Sequence, residues 1–321
     1  MTLFRLGYVS MSVQVENCSP SQTVTWKSFS NISDRDAAIG KVRSVAQSNI
    51  ENCLRLLKHN NANGIKFFRM SSRIIPLATH EELADWDYKA ELTPFFQELG
   101  GYARKKGMRV GFHPDHFVVL NTPKKEVLKQ SIYNLVYHYN MLAAMGEEPV
   151  HKCVLHIGGS YGNKEESLER FIENWAKISP RIQNTVILEN DDKTFNVEDV
   201  LYLSEKLEVP HVFDLHHHAA NHNDSDWTKY WERIVDTWKH SPSPVKIHIS
   251  SPKSEKQFRA HADYVDSEMF RQFMKEVSGT IPQVDCMIEA KQKDAALFKL
   301  VEDLKKDPDI KWHEGAVFET Q

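Results

Sequence analysis

Eight short apolar runs recur along the chain, and each ends in a polar residue suited to metal binding or catalysis. These end residues are Tyr8, Arg69, His113, His156, Glu189, Asp214, His248 and Glu289. Burying so many ionisable groups costs several kcal/mol each unless they are paired or bind a metal. Because run after run ends in this way, we expect the strand ends to converge on one site.

The segments between the runs have the periodicity of helices. The predicted helices cover 41–61, 92–106, 124–145, 164–178, 196–206, 226–239, 267–279 and 293–305. Regular alternation of strand and helix indicates a parallel sheet with crossover helices. Eight such units predict a single (β/α)8 TIM barrel, a fold whose active sites lie at the carboxyl ends of its strands.

No low-complexity segment or Pro/Gly-rich linker divides the sequence. We therefore expect one catalytic domain over 1–321, with the barrel at about 3–305 and a C-terminal tail at 306–321. The polar stretch 16–35 is predicted to be a long loop. Asn196 is predicted to cap a helix at its start, and Gly64 and Gly107 are expected to end two others.

Strand parity places the ionisable side chains. Residues two apart on a strand face the same side, so Ile187 is expected to lie beneath Glu189 in the barrel interior. The same rule puts Lys246 inside the barrel beside His248. A lysine in that position is costly unless it is paired, neutralised or chemically modified.

Bulk composition excludes little. The hydrophobic fraction of 41% suits a globular chain of 321 residues, and no apolar run has the length of a membrane span. The four cysteines form no CxxC pair, which favours a reducing, cytoplasmic setting. A net charge of −4 neither supports nor excludes nucleic-acid binding, because a metal cluster and a basic rim can reverse the local field.

The polar strand ends and their following loops supply a candidate ligand set. It comprises His113, His156, Glu189, Asp214, His217, His248, His261 and Glu289, with His80 as a further candidate. Nitrogen and oxygen donors of this kind suit Zn, Mn, Fe or Co. The set exceeds the needs of one tetrahedral ion, so a cluster of two or three ions is expected.

Each ligand taken alone has a plainer interpretation. A single strand-end histidine is more often a hydrogen-bonded core residue, and a single carboxylate is more often part of an ion pair. The histidine-rich stretch 213–222 can equally be a solvated loop, in which His216, His218 and His222 are not ligands. Taken together these explanations are weaker than a single shared site, because each of seven consecutive strands would need an explanation of its own.

Several residues around the predicted mouth are suited to nucleic acid. Arg69 and Arg73 can hold a phosphate or form surface salt bridges, and the parity of Arg69 points inward. Tyr8, His116 and Phe117 are predicted to lie on loops above the site. Aromatic side chains there can stack with a displaced base, or simply cover the barrel mouth.

The motifs in their order resemble those of the UV damage endonucleases. The resemblance is carried by RLGYVSMS, ATH, GFHPDHF, LHIGGSYG, LENDD, DLHHHA, KIHIS, RAHADYV and IEAKQKD, which run from Arg5 to Lys293. It implies a barrel of the endonuclease IV type with a cluster of divalent ions. It also implies incision of the DNA backbone immediately 5′ to cyclobutane dimers and (6-4) photoproducts, and at abasic sites.

The same resemblance implies roles for individual residues. It gives Glu189 a bridging position between two ions, one held also by His113 and His156 and the other by Asp214, His248 and Glu289. His217 and His261 would hold a third ion, and His80 joins the ligand set. Lys246 matches a lysine that is carboxylated in the family, and Tyr8 matches a tyrosine that probes the distorted duplex. Some members carry Gln-Tyr in place of His116-Phe117 and an asparagine near Ser12.

We therefore expect a metal-dependent DNA endonuclease that leaves 3′-hydroxyl and 5′-phosphate ends, with Glu189, Lys246 and Tyr8 as its catalytic residues. Manganese is the first expectation for the metal, followed by Zn, Co or Mg. The expected partner is damaged double-stranded DNA, contacted by Tyr8, Arg69, His116 and Phe117. We expect a cytoplasmic monomer, associated with the nucleoid when it acts. The alternatives are a metal-dependent sugar isomerase or epimerase on the same barrel and a damage-sensing DNA-binding module.

Overall fold

Parallel strands alternate with helices through most of the computed structural model, which describes residues 1–320. The strands are β1 (Thr2–Val9), β2 (Phe67–Arg69), β3 (Arg109–Gly111), β4 (Cys153–His156), β5 (Val186–Glu189), β6 (His211–Asp214), β7 (Val245–Ile249), β8 (Pro252–Ser254), β9 (Gln257–His261), β10 (Gln283–Ile288), β11 (Ile310–Glu314) and β12 (Val317–Thr320). The barrel is formed by β1 to β7 together with β10.

The circuit of barrel strands is nearly continuous. From β4 it runs through β5, β6, β7, β10, β1 and β2 to β3, always with parallel pairing. Between β3 and β4 a short bridge completes it, since the Phe112 amide donates to the Lys152 carbonyl at 2.8 Å and the Val154 amide to the Phe112 carbonyl at 3.0 Å. The predicted (β/α)8 barrel is confirmed.

Helices follow the strands on the outside of the barrel. They are α1 (Trp26–Ser30), α2 (Arg35–Ala62), α3 (Tyr88–Lys105), α4 (Lys125–Ala144), α5 (Lys164–Trp175), α6 (Pro180–Gln183), α7 (Val197–Leu207), α8 (Leu215–Ala220), α9 (Thr228–Asp236), α10 (Ser267–Val277) and α11 (Lys293–Leu304). All eight predicted helices are present, with α2 starting earlier than expected. No helix within residues 1–320 combines the length and apolarity needed to cross a membrane.

Helix ends follow the predicted signals. The Asn196 side chain accepts from the amides of Glu198 and Asp199, and Asp199 returns a bond to the Asn196 amide, which completes a capping box. Gly64 and Gly107 have φ of +66° and +61°, in the left-handed region that glycine adopts without strain. The predicted loop 16–35 is wrong in part, because Thr25 caps the short helix α1.

The barrel interior is layered. Val9, Phe67 and Met287 form a small apolar cluster of their own, separate from the large core between strands and helices. Towards the amino ends of the strands, Asp285 accepts from Arg5 at 2.6 and 2.7 Å and from Arg109 at 2.7 Å. Most of the predicted metal ligands lie at the opposite, carboxyl end of the strands.

The residues after the last helix are part of the sheet. Strands β11 and β12 form a hairpin, and β12 pairs antiparallel with Thr2–Arg5 of β1. Parallel pairing with β2 starts further along β1, at Gly7. The Phe318 ring is fully buried and stacks on Phe4 with centroids 5.4 Å apart. The expected tail 306–321 is therefore largely a hairpin over 310–320 that covers the first half of β1, and its last residue lies outside the described part of the chain.

We predict that Phe318→Ala lowers the free energy of unfolding by about 3–5 kcal/mol, because it removes a buried aromatic ring and leaves a cavity. Urea titration followed by circular dichroism measures the change. His313→Ala on the same hairpin is the control, since His313 is exposed, and its effect is expected to stay within about 0.5 kcal/mol. Equal effects of the two changes would contradict a packing role for Phe318.

A second prediction concerns acid stability. Burial lowers the pKa of His138, on α4, to about 4. The unfolded chain takes up this proton near pH 6.5, so it binds more protons than the folded chain between the two values, and stability is lost as the pH falls through that window. His138→Gln is expected to reduce the loss of unfolding free energy between pH 7.5 and pH 5 by about 2 kcal/mol. The exposed His240, changed to Gln, is the control, and an unchanged pH dependence in His138→Gln would refute the assignment.

Candidate functional site

Glu189 lies at the centre of the polar cluster at the barrel mouth. It ends β5, and its carboxylate is 1% exposed. Four histidines from other strands or their following loops surround it: His248 Nδ1 lies at 2.8 Å, His113 Nε2 at 3.0 Å, His217 Nδ1 at 3.4 Å and His156 Nε2 at 3.6 Å. Convergence of the strand ends has thus brought together side chains far apart in the sequence.

Three groups of candidate ligands share this carboxylate. Within each group the ligand atoms lie within 4.8 Å of one another, as a bound ion requires. The groups are His113 with His156, Asp214 with His217, and His248 with Glu289, each completed by Glu189. Because Glu189 is common to all three, the geometry suits several neighbouring ions rather than one.

An unpaired buried atom points the same way. Asp214 Oδ2 is buried without a hydrogen-bond partner in the part of the chain that the structure describes, and it lies 3.6 Å from His217 Nδ1. Buried polar atoms in folded proteins are nearly always bonded, so this oxygen calls for an explanation. A carboxylate oxygen left unpaired beside Glu189 and His217 fits a ligand of a divalent ion.

The protonation states also suit metal ligands. Burial alone would raise the pKa of Glu189, but His248 and His156 outweigh it and hold that pKa well below its usual range. Burial lowers the pKa of His113 to about 4, although its bond to Glu189 opposes the shift. The carboxylate is therefore ionised and His113 is neutral at neutral pH, the forms in which both bind metals.

His217 differs from its neighbours. Burial disfavours its charged form, but Asp214 and the two nearby glutamates outweigh burial and raise its pKa to about 9. In this structure it is thus a cation among carboxylates. A metal ion bound there would replace that proton, because a ligating histidine must be neutral.

Surrounding groups orient the candidate ligands. Asn190 follows Glu189 and is fully buried. Its side chain accepts from the Asp214 amide at 2.9 Å and donates to the Asp214 carbonyl at 3.0 Å, while its own carbonyl accepts from His217 Nδ1 at 2.9 Å. His113 Nδ1 lies 3.0 Å from the Pro114 carbonyl oxygen. Such partners fix ring orientation. The strand-end pattern does not single out Asn190, although an asparagine directly after a strand-end glutamate is a usable signal.

The histidine-rich stretch 213–222 is not the solvated loop that was one interpretation of its sequence. Residues Leu215–Ala220 form helix α8, because the Asp214 side chain accepts from the His217 amide at 2.7 Å and caps it. His216 is 1% exposed, and its ring nitrogens lie 2.7 Å from Ser250 Oγ and 2.7 Å from the Phe258 carbonyl oxygen. His216 therefore links α8 to strand β9, which carries His261.

Glu289 connects the cluster to a basic side chain. Its carboxylate bonds Arg69 and lies 3.1 Å from His248 Nδ1. Burial alone would raise the pKa of Glu289, but Arg69 and His248 lower it below the usual range. His261 Nδ1 lies 2.6 Å from the Glu289 carbonyl oxygen and 4.0 Å from its carboxylate. His261 is thus beside the three groups without belonging to one.

Two predicted site residues lie elsewhere. Tyr8 is not on a loop above the site: it belongs to β1, is fully buried, and its hydroxyl donates to Asn60 Oδ1 on α2 at 2.7 Å. It shares the outward parity of Leu6 and faces α2 rather than the barrel mouth, so the predicted loop position is wrong. His80 belongs to none of the three groups, and its ring stacks on Trp26 with centroids 4.3 Å apart.

Lys246 lies inside the barrel, as its parity predicts. It is 4% exposed, and its ammonium group lies over the Phe67 ring, 5.6 Å from the centroid. Burial, together with the nearby Arg109 and Arg69, lowers the pKa of Lys246 to about 7. Lys246 is thus buried against an aromatic ring and near other cations. The sequence predicts this arrangement, in which burial of the charge is energetically costly.

Two cavities flank the cluster at the surface. One, of 490 Å³, includes Arg69, His113 and Glu289 in its wall, and the other, of 400 Å³, includes His217 and His261. Both are bordered by His116, on the loop after β3. The adjacent Phe117 is 52% exposed, and the two rings lie 6.1 Å apart. His116, with the exposed Phe117 beside it, therefore forms a ridge between the two cavities.

Comparison with known proteins places this geometry in a family. The model of the UV-endonuclease UvdE family matches residues 4–318. A UV DNA damage endonuclease of Halalkalibacterium halodurans is 45% identical over 307 residues, which are 95% of each chain. The crystal structure of SacUVDE has a TM-score of 0.83 at 34% identity and covers 94% of this chain and 98% of that one.

A more distant structure shares the architecture. Endonuclease IV from Thermus thermophilus has a TM-score of 0.55 at 14% identity, covering 94% of this chain and 99% of that one. This likeness concerns the fold alone. The family match is of another kind, because it extends through every strand of the barrel at an identity far above what a shared fold produces, and the chain therefore belongs to the UV-endonuclease UvdE family.

Proposed function

We propose that this chain is a metal-dependent DNA repair endonuclease. It would incise the backbone immediately 5′ to cyclobutane pyrimidine dimers and (6-4) photoproducts, and at abasic sites, leaving 3′-hydroxyl and 5′-phosphate ends. Membership of an endonuclease family makes the chain an enzyme that acts on DNA, and curated relatives are named UV DNA damage endonucleases. The position of the cut, the lesions and the hydrolytic chemistry are the proposed part.

One observation carries the metal dependence: a single buried carboxylate, Glu189, is shared by three ligand groups. Divalent ions in such a cluster supply a nucleophile from water and stabilise the leaving oxygen of a phosphodiester. Manganese is our first expectation, with Zn, Co or Mg as alternatives. The proposed ligands are His113, His156, Glu189, Asp214, His217, His248, His261 and Glu289; His80 is left out because its ring stacks on Trp26.

The side chains of this protein would bind and distort the DNA. Arg69 lies at the cluster and is suited to a phosphate oxygen. The exposed Phe117 ring, with His116, stands between the two cavities and can stack against a base that leaves the helix. Damage lowers the cost of that distortion, so selectivity would come from deformability rather than from base sequence.

The two alternative functions, a sugar isomerase or epimerase and a DNA-binding module, have less support. A sugar isomerase or epimerase shares the barrel, but the family match is to endonucleases. A binding module with a structural metal does not need three ligand groups around one carboxylate at the open end of a barrel.

Nicking of UV-irradiated plasmid, compared with untreated supercoiled plasmid, in Mn²⁺ or in EDTA, tests the proposal directly. Nicking confined to the irradiated plasmid with Mn²⁺ is expected.

Glu189→Gln is predicted to reduce nicking of irradiated plasmid by about a hundredfold or more, because the shared ligand loses its charge. Binding to a lesion-containing duplex, measured by fluorescence anisotropy in EDTA, is expected to stay within about threefold, since Glu189 is 1% exposed. The matched control is Glu205→Gln, which removes a carboxylate paired with Arg233 on the outer surface. Parallel loss of cutting and binding in Glu189→Gln would assign this residue to the fold rather than to the chemistry.

We also propose that Lys246 carries a carbamate. Inside the barrel, Arg5 and Arg109 bind the carboxylate of Asp285. Lys246 lies opposite Asp285 on the neighbouring strand, but its ammonium group has no carboxylate oxygen within 4.0 Å in residues 1–320. Addition of CO2 to the neutral amine forms a nitrogen–carbon bond and releases one proton. The resulting anion would balance the remaining cations and face the metal ligands, which relieves the burial of an unpaired ammonium group.

We predict that Lys246→Met lowers nicking at least about tenfold. In protein freed of CO2 and bicarbonate, in which Lys246 is unmodified, the same change is expected to leave the free energy of unfolding the same or raise it, because an unpaired buried cation is removed. Labelling with ¹³C-bicarbonate should give a carbamate resonance in the unchanged protein and none in Lys246→Met. The absence of that resonance in the unchanged protein would rule out the modification. Loss of stability in step with activity would make Lys246 a packing residue.

A further inference from the structure

The two cavities beside the cluster differ in charge. The 490 Å³ cavity is lined by the cations Arg69, Arg73 and Lys293 and by the carboxylates Asp115 and Glu289. Asp115 already lies 3.4 Å from Arg73. The 400 Å³ cavity carries Asp191, Asp192 and the shared Asp115 against Lys193 and Arg259. An excess of positive charge is therefore confined to the first cavity.

Lys293 and Arg73 are the cations in that cavity to which the proposed function assigns no role, and of these two Arg73 is paired with Asp115. Lys293 is partly buried at the start of α11, and within residues 1–320 no carboxylate oxygen lies within 4.0 Å of its ammonium group. Burial and the neighbouring Arg69 lower the pKa of Lys293, which places two like charges close together. Its backbone has φ +51°, a conformation that costs a non-glycine residue about 1 kcal/mol or more. A strained, partly buried and unpaired lysine is expected to have a ligand.

Glu289 is the carboxylate that balances both cations in this structure. It bonds Arg69, and its charge acts on Lys293. Glu289 is also a proposed metal ligand, and its carboxylate lies 3.1 Å from His248. A metal ion bound by Glu289 would take up much of this charge and leave Arg69 without its carboxylate partner. Lys293 has no carboxylate oxygen within 4.0 Å in residues 1–320 even without a metal ion, so its charge is available to a phosphate in either state.

We propose that Arg69 and Lys293 form a phosphate cradle for a DNA backbone phosphodiester next to the one that is cut. This inference rests on the proposed function. Arg69 offers a planar fork to two phosphate oxygens, and Lys293 adds a compact charge. The cavity, at 490 Å³, has the volume of a small-ligand pocket, which is enough for one nucleotide unit.

The test uses Lys293→Met with Lys291→Met as its matched control. Both changes remove one positive charge, Lys291 is exposed on the same segment, and methionine at 293 keeps an unbranched side chain at the left-handed position. Affinity for a duplex with a single cyclobutane dimer is measured in EDTA between 50 and 300 mM NaCl. Arg69 stays paired with Glu289 under these conditions, so the change isolates Lys293.

Lys293→Met is expected to weaken binding about three- to tenfold and to reduce the slope of log K against log salt by about 0.9, the value for one lost phosphate contact. Lys293→Arg should restore the slope, and Lys291→Met should weaken binding less than about twofold. With Mn²⁺, KM should rise in Lys293→Met while kcat changes by less than about twofold. A structural role for Lys293 would not change the salt slope, and urea titration checks that each variant is folded.

An unchanged salt slope in Lys293→Met, or an equal loss in Lys291→Met, overturns the cradle. The proposed function fails by a different result, namely no metal-dependent nicking of irradiated plasmid by the unchanged protein. Normal nicking with an unchanged slope in Lys293→Met therefore removes the cradle alone.

Discussion

The buried carboxylate of Glu189 is the constraint around which this structure is organised. An isolated carboxylate at that depth costs several kcal/mol, so its environment has to compensate for the charge. Four histidine nitrogens within 3.6 Å do so here. They come from four different β–α units, so only a closed barrel can bring them together. Closure of the barrel therefore also supplies the side chains that compensate for the buried charge of Glu189.

Charged side chains also lie deeper in the barrel interior, beneath the cluster. Beneath the cluster lie Val9, Phe67 and Met287, and beneath them Arg5 and Arg109 bind Asp285. Lys246 reaches between these levels without a carboxylate partner of its own, against the Phe67 ring. A barrel filled only with branched apolar side chains would be easier to stabilise. The charged interior makes sense as the support of a highly charged site.

The loop after β3 separates two cavities of different charge at the barrel mouth. His116, with Phe117 beside it, lies between one cavity with an excess of cations and another that carries both acidic and basic residues. A double helix that is bent over this ridge would meet different chemistry on its two sides. His216 contributes at a distance, because it ties the exposed hairpin of β8 and β9 to α8 and so sets the position of His261. The contacts of His216 thus position both a surface hairpin and the candidate metal ligand His261.

Local sequence patterns were enough to predict the strand ends, the eight main helices and most of the residues around Glu189. These depend on local periodicity and on the rule that parallel strands present their carboxyl ends at one edge. Three contacts follow only from the folded chain: Tyr8 faces α2, His80 stacks on Trp26, and 317–320 pair with β1. In each case the partner lies tens or hundreds of residues away, so no local pattern encodes the contact. Side-chain periodicity is a short-range property, whereas pairing across the barrel depends on where the whole chain closes.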